Sequence, residues 1–277
     1  MDNDRVLITG AGGQVGTALK HTAPGAKAFS HHDLDVTDAR AVAEAAAGID
    51  VIVHLAALTN VDGCEAEPDT AHRVNVGGTK NVVAAARKHG ARVVFLSTDY
   101  VFSGEDAPYS EDGDPGPVNV YGETKLAGER LLDTERDLIV RASWIFGAGR
   151  NFVTTILRAA TSGPVRVVDD QIGRPTSADA LALALVDLID RGVSGCVHVA
   201  GDGAPCSWAD LAETAIAGSG LEAKVQRVST EQYRSDADGT IARRPPNGTL
   251  GLDKARALGI PLVDWRTSLT AYLKGIP

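Results

Sequence analysis

The chain is 277 residues long, 44% hydrophobic and 23% charged, with a formal net charge of −9. That length buries one large core, or a large domain with a small companion. An acidic chain without a basic stripe excludes nucleic acid as the expected partner, and no apolar run reaches the ~18 residues that cross a bilayer.

The N-terminus runs Met1-Asp2-Asn3-Asp4 into an apolar strand with no basic region or cleavage site, so no leader is expected. Val6-Leu7-Ile8, Val51-Ile52-Val53, Val93-Val94-Phe95-Leu96 and Leu138-Ile139-Val140 read as strands buried on both faces. Helical spacing falls between them, at 15–21, 39–47, 71–89 and 121–132, and 27–30 is a weaker second strand. This alternation implies an α/β fold, a Rossmann-type doubly wound parallel sheet. The stretch 103–119, rich in Pro, Gly and acids, reads as a surface loop.

Further on, a helix near 151–160, a strand at 165–168, a helix at 178–190 and a strand at 197–200 are expected, while 225–249 has no clear period. The expected organisation is a dinucleotide-binding domain over 1–149, completed by roughly 165–205. A smaller C-terminal substrate-binding lobe then comprises 150–164 and 206–277. Cys64, Cys196 and Cys206 are odd in number and widely spaced, which points to a reducing, cytoplasmic setting without a disulfide framework or metal cluster.

Thr9-Gly10-Ala11-Gly12-Gly13-Gln14-Val15-Gly16 joins the first strand to the first helix. Gly10, Gly13 and Gly16 allow a sharp turn, close approach to a pyrophosphate and tight helix–strand packing. The helix N-terminus offers free N–H groups to phosphates. About 20 residues on, where an acid would favour NADH, stands Ser30-His31-His32, with Asp33 and Asp35 slightly later. Ser and His donate to a 2′-phosphate, so NADPH is the expected cofactor, with NADH also accepted. His31 and His32 also fit as solvated loop residues. Small residues in Leu55-Ala56-Ala57-Leu58-Thr59 let a cofactor lie against the sheet edge, or simply pack a helix.

Tyr121-Gly122-Glu123-Thr124-Lys125 places a Tyr and a Lys one helical turn apart on one face. A phenol has an ordinary pKa of about 10. A lysine cation nearby would stabilise the phenolate and poise Tyr121 as general acid. Thr98 ends the fourth strand, where open α/β sheets bind ligands, and its hydroxyl can hold a substrate carbonyl. The Tyr–Lys spacing alone is a common accident on helices. Together with the glycine loop and Thr98 it reads as a reductase centre.

These residues resemble the extended short-chain dehydrogenase/reductases. Ser97-Thr98-Asp99-Tyr100-Val101-Phe102, Tyr121 to Glu129, Arg141-Ala142-Ser143-Trp144, Asp169-Asp170-Gln171-Ile172-Gly173-Arg174-Pro175-Thr176 and Arg244-Pro245-Pro246-Asn247 resemble the dTDP-4-dehydrorhamnose reductase family over nearly the whole chain. The resemblance implies reduction of the 4-keto group of dTDP-6-deoxy-L-lyxo-4-hexulose to dTDP-L-rhamnose. It places Gly13, Gln14 and Val15 at the pyrophosphate, and Asp35 and Val36 at the adenosine. Ala56, Ala57, Thr59, Tyr121 and Lys125 would then face the cofactor, and Thr98, Asp99, Tyr100 and Trp144 the sugar. Gly248, where a Ser commonly follows Pro-x-Asn, and Leu58 depart from the pattern.

Arg174 and Arg244 are the expected diphosphate ligands, being guanidinium groups in Pro-flanked irregular stretches of an acidic chain. A carboxylate such as Asp170 or Asp238 would instead hold them at the surface. A sugar-nucleotide dehydratase would need an acid where Tyr100 stands. A 4-ketoreductase for another deoxysugar, an epimerase and a catalytically silent regulatory subunit of the same family are the other readings.

Overall fold

Buried β-branched runs alternating with amphipathic segments form a parallel sheet wound on both faces. The computed structural model describes residues 3–236 and 239–276. Met1 and Asp2, and Asp238 as a possible arginine partner, lie outside the described residues.

The first half runs β1 (Val6–Thr9), α1 (Gln14–Thr22), β2 (Lys27–Phe29), α2 (Ala39–Ala45), β3 (Val51–His54), α3 (Val61–Ala66), α4 (Pro68–Ala71), α5 (Gly78–His89), β4 (Arg92–Thr98), α6 (Val120–Glu129) and β5 (Leu138–Ala142). There follow β6 (Ile145–Phe146), α7 (Phe152–Ala160), β7 (Val165–Val168), β8 (Ile172–Gly173), β9 (Thr176–Ser177), α8 (Ala178–Asp190) and β10 (Gly195–His198). The chain continues through β11 (Cys206–Ser207), α9 (Trp208–Ser219), β12 (Val225–Val228), α10 (Thr230–Ser235), α11 (Asp253–Ala257) and α12 (Trp265–Lys274).

The main sheet has six strands in the order β2-β1-β3-β4-β5-β10, all parallel. Side chains alternate between two cores even where every strand residue is buried. Ile8, Val94 and Val140 face α1 and α8 through Val15, Leu19, Leu181 and Leu185. Leu7, Ile52 and Phe95 face α2 and α5 through Val42, Val82 and Ala86. Each such side chain, fully buried, contributes about 1.5–3 kcal/mol. The winding reverses between β1 and β3, and the crevice outside the carboxyl ends of strands at such a switch point is where this architecture binds ligands.

Three expectations need correction. Strand 165–168 does not complete the main sheet. As β7 it pairs in parallel with β12, Val165 opposite Val225, and packs under α9. β12 itself lies in the stretch without clear period, because its residues are half-exposed or exposed and leave no apolar signal. The expected helix over 71–89 is a run from Pro68 to His89 whose middle turn, His72–Gly77, is a π turn. That wide turn carries Asn75 inward, where it is buried. Outside the main sheet, Phe146, Val153, Leu211, Trp265 and Leu269 form a separate core that joins α7, α9 and α12.

Candidate active site

β1 ends on Gly10 at φ +71°, and a Cβ there would lie 2.7 Å from the Ala56 backbone nitrogen. At Gly16 it would meet Ala11 Cα at 2.5 Å. Only glycine lets the loop sit this close to β3 and lets α1 pack this tightly. α1 starts on Gly13 with no side-chain cap, so its first-turn N–H groups are left for a ligand. Gln14 Oε1 beside them is buried and unpartnered.

From this loop a cleft of about 1140 Å³ runs along the carboxyl edge of the sheet. That exceeds the ~300–1,000 Å³ of ordinary small-molecule pockets and leaves room for a dinucleotide. Gly10, Gly13, Gln14, Val15, Gly16, Asp35, Val36, Ala56, Ala57 and Thr59 all line it. Hydrogen bonds from the Thr37 N–H and hydroxyl, 2.8 Å each, hold the Asp35 carboxyl below its usual range. The Ser30 hydroxyl donates to Asp33 Oδ2 at 2.6 Å, so Ser30 is already engaged and His31 and His32 remain at that edge. These residues fit a nicotinamide dinucleotide.

At the other end, β4 delivers Thr98. Its Oγ1 accepts from the Tyr100 N–H at 3.2 Å and donates to Asp99 Oδ1 at 3.1 Å. Asn119 caps α6 by accepting from the Gly122 N–H at 2.8 Å, and its Nδ2 donates to the Arg243 carbonyl at 2.8 Å. A Cβ at Gly122 would strike the Tyr100 carbonyl oxygen. Cap and glycine together press the first turn of α6, with Tyr121, against the 99–101 turn. Tyr121 lines the cleft beside Thr98, whose hydroxyl lowers the phenol's pKa, and its ring meets Tyr100 edge-on at 5.9 Å.

Burial pushes the Tyr121 phenol above its usual range, and the Asp99 charge adds to this. Lys125 is one turn away as expected, and its ammonium lies 3.9 Å over the Phe95 ring. Burial brings Lys125 down to about 7, opposed by Glu129. It raises Asp99 to about 7, opposed by the Thr98 hydrogen bond. Asp99 Oδ2 is buried without a partner, and a Cβ at Gly248 would lie 2.5 Å from it. At neutral pH Tyr121 is therefore a neutral phenol, the form that donates a proton.

Residues 4–276 match the family model described as RmlD substrate binding domain. The chain is 38% identical to the dTDP-4-dehydrorhamnose reductase of Mycolicibacterium smegmatis, over 96% of this chain and 84% of that protein. The chain belongs to the RmlD substrate binding domain family. It is equally 38% identical to the dTDP-4-keto-6-deoxy-D-glucose reductase of Streptomyces niveus, over 96% of each chain. A crystal structure of dTDP-4-dehydrorhamnose reductase from Bacillus anthracis in complex with NADP superposes with a TM-score of 0.91, at 33% identity over 100% of both chains.

Among the residues that the family resemblance singles out, Thr98, Asp99, Tyr100, Tyr121, Lys125 and Trp144 line the cleft with the glycine loop. Arg174 and Arg244 do not. The Arg174 guanidinium donates to the Leu250 carbonyl at 3.2 Å and to the Gly203 carbonyl. Arg244 is clamped by Asp62 at 2.6 and 2.9 Å and donates to the Ala242 carbonyl at 2.9 Å. Both tie down irregular backbone. Asp170 pairs with neither, accepting instead from the Thr230 N–H and hydroxyl.

Sequence reasoning missed Arg73, Arg150, Phe152 and Trp208, which line the cleft. It also missed Asn75, which bonds both the N–H and the carbonyl of Leu58 and the Thr124 hydroxyl, coupling the 55–59 loop to α6. No local spacing marks these residues. An Arg before an Asn helix cap was the only available signal, at Arg150.

Proposed function

We propose that this chain catalyses NADPH-dependent reduction of the 4-keto group of a dTDP-4-keto-6-deoxyhexose, converting dTDP-4-dehydro-L-rhamnose to dTDP-L-rhamnose. The observation that carries this reading is Tyr121 beside Thr98 in the same cleft as an uncapped glycine-rich helix start. When bound, NADPH supplies the hydride that adds to the keto carbon. Thr98 orients the carbonyl oxygen, and Tyr121 delivers its phenolic proton to that oxygen as negative charge develops there. Protonated Lys125, one turn along α6, then stabilises the phenolate left behind. NADH serves as a second hydride source, since the tip of the second strand, Ser30-His31-His32, carries neither a decisive acid for the ribose 2′-hydroxyl nor an arginine for a 2′-phosphate.

The glycine loop, Asp35, Val36, Ala56, Ala57 and Thr59 hold the dinucleotide, and Asp99, Tyr100 and Trp144 face the sugar. Residues 1–149 with α8 and β10 form the cofactor domain. Residues 150–177, with β7, and 206–277 form the substrate lobe. No helix among the described residues is long and apolar enough to cross a membrane, and a cytoplasmic enzyme is the setting these features suit.

The equal identity to the S. niveus protein favours a second reading, reduction of a 4-keto-6-deoxyhexose of different configuration. A panel of dTDP-4-keto-6-deoxyhexoses, offered with NADPH and then NADH, tests both readings. Turnover of the L-lyxo sugar above the others is expected. Turnover of none would overturn the reductase reading.

A further inference from the structure

Trp144 has left-handed backbone, φ +48°, unlike every other described non-glycine residue. That region crowds the Cβ of an L-residue and persists only where the surroundings enforce it. Here they can be named. The Trp144 indole stacks on Trp208 with ring centroids 3.6 Å apart and 7° between planes. Phe152 leans on Trp208 at 4.4 Å. All three line the cleft.

The motif segment 169–176 closes around the same indole. A Cβ at Gly173 would lie 2.5 Å from Trp144 Cε2, so only glycine admits the ring there. The Thr176 N–H donates to the Trp144 carbonyl at 3.1 Å, and Ser143 Oγ donates to the Arg174 carbonyl at 2.7 Å. Asp169 Oδ1 accepts from Ser207 Oγ at 2.8 Å, and Ser207 forms the capping box that starts α9 at Trp208. One end of the motif thus fixes the helix start that presents Trp208, and the other fixes the backbone and the space of Trp144.

We propose that Trp208 and Gly173 are positioning residues for the reduction. They hold Trp144 as a rigid wall on which the C–H face of the substrate's sugar ring rests, so that its keto carbon stands between the hydride donor and Tyr121. An indole face offers the flat apolar surface that such a ring face matches, and reaction geometry tolerates little misplacement. The proposal rests on the reductase reading above.

Steady-state kinetics of W208A, W208F and G173A, with the keto-sugar nucleotide and NADPH varied separately, test it. W208A and G173A should each raise the sugar-nucleotide KM by about tenfold or more while leaving the NADPH KM within about twofold. W208F keeps a stacking ring and should stay within about threefold of wild type. The double variant W208A/G173A should be little worse than either single one, because both act through Trp144. Quenching of tryptophan fluorescence by dTDP-L-rhamnose should weaken in W208A and recover in W208F.

Should G173A fail to fold, W208A against W208F decides alone. Unchanged sugar-nucleotide KM in W208A, or an equal rise in both KM values, overturns the positioning role. A wild-type protein that reduces no keto-sugar nucleotide overturns the reductase reading, and the positioning proposal falls with it.

Discussion

In the proposed reaction Tyr121 carries the proton, and its variant gives the sharpest residue-level prediction. Tyr121→Phe keeps the ring packed against Tyr100, so NADPH binding should persist. Reduction should fall by about 10²–10⁴-fold, the usual loss on removing a general acid. Cofactor titration alongside turnover measures both, and a Phe variant within a few-fold of wild type would remove Tyr121 from the chemistry.

The pH profile follows from two neighbours. As pH rises through about 7, Lys125, whose pKa burial lowers, loses its charge, while Asp99, whose pKa burial raises, gains one. Both changes disfavour the phenolate and make Tyr121 a weaker acid. kcat/KM should therefore decline above neutrality, and Asp99→Asn should make the decline shallower. A profile that is flat or rising from about pH 6 to about pH 9 would contradict this. The types and spacing of Thr98, Tyr121 and Lys125 were legible in the chain. The relation of lysine to phenol was not, since it depends on burial and on Phe95 lying beneath the ammonium.

At the scale of elements, α6 is placed by its cap and by a buried ion pair. Asn119→Ala should cost about 1 kcal/mol as a lost N-cap. It should also slow turnover, because Tyr121 sits in the first turn. Glu129, also on α6, bonds the Arg141 guanidinium through both carboxylate oxygens at 3.0 and 2.7 Å, and both side chains are buried. Glu129→Ala leaves that cation unpaired and should cost about 3–5 kcal/mol. Urea unfolding of the two variants checks both values, and a loss under about 1 kcal/mol for Glu129→Ala would mean solvent reaches the pair.

Strands buried on both faces and helices of regular period could be read because each announces itself within a short window. β7 was assigned to the wrong sheet because a strand's partner is a long-range fact, and its partner β12 has no apolar pattern. The π turn at Asn75 was invisible because a widened turn hardly alters the apolar spacing.

Across the whole molecule, scarcity of positive charge pointed to Arg174 and Arg244, neither of which lines the cleft. Arg174 and Arg244 hold carbonyls and Asp62, whereas Arg73 and Arg150 line the cleft. Arg174→Ala should lower stability by about 1–3 kcal/mol through the carbonyls it leaves unpaired. It should leave the sugar-nucleotide KM unchanged, and a selective KM rise would return Arg174 to the substrate. The fold and the glycine-loop end of the cleft were legible because glycine geometry and strand ends are local features. The other end was not, since three short pairings and two tryptophans distant in sequence build it.

Reduction of a 4-keto-6-deoxyhexose nucleotide is tested most directly by incubating the purified protein with NADPH and dTDP-6-deoxy-L-lyxo-4-hexulose. The sugar product is then identified by nuclear magnetic resonance as NADPH is consumed. Stoichiometric formation of dTDP-L-rhamnose is expected. NADPH that stays unoxidised while wild-type protein binds the sugar nucleotide would contradict it.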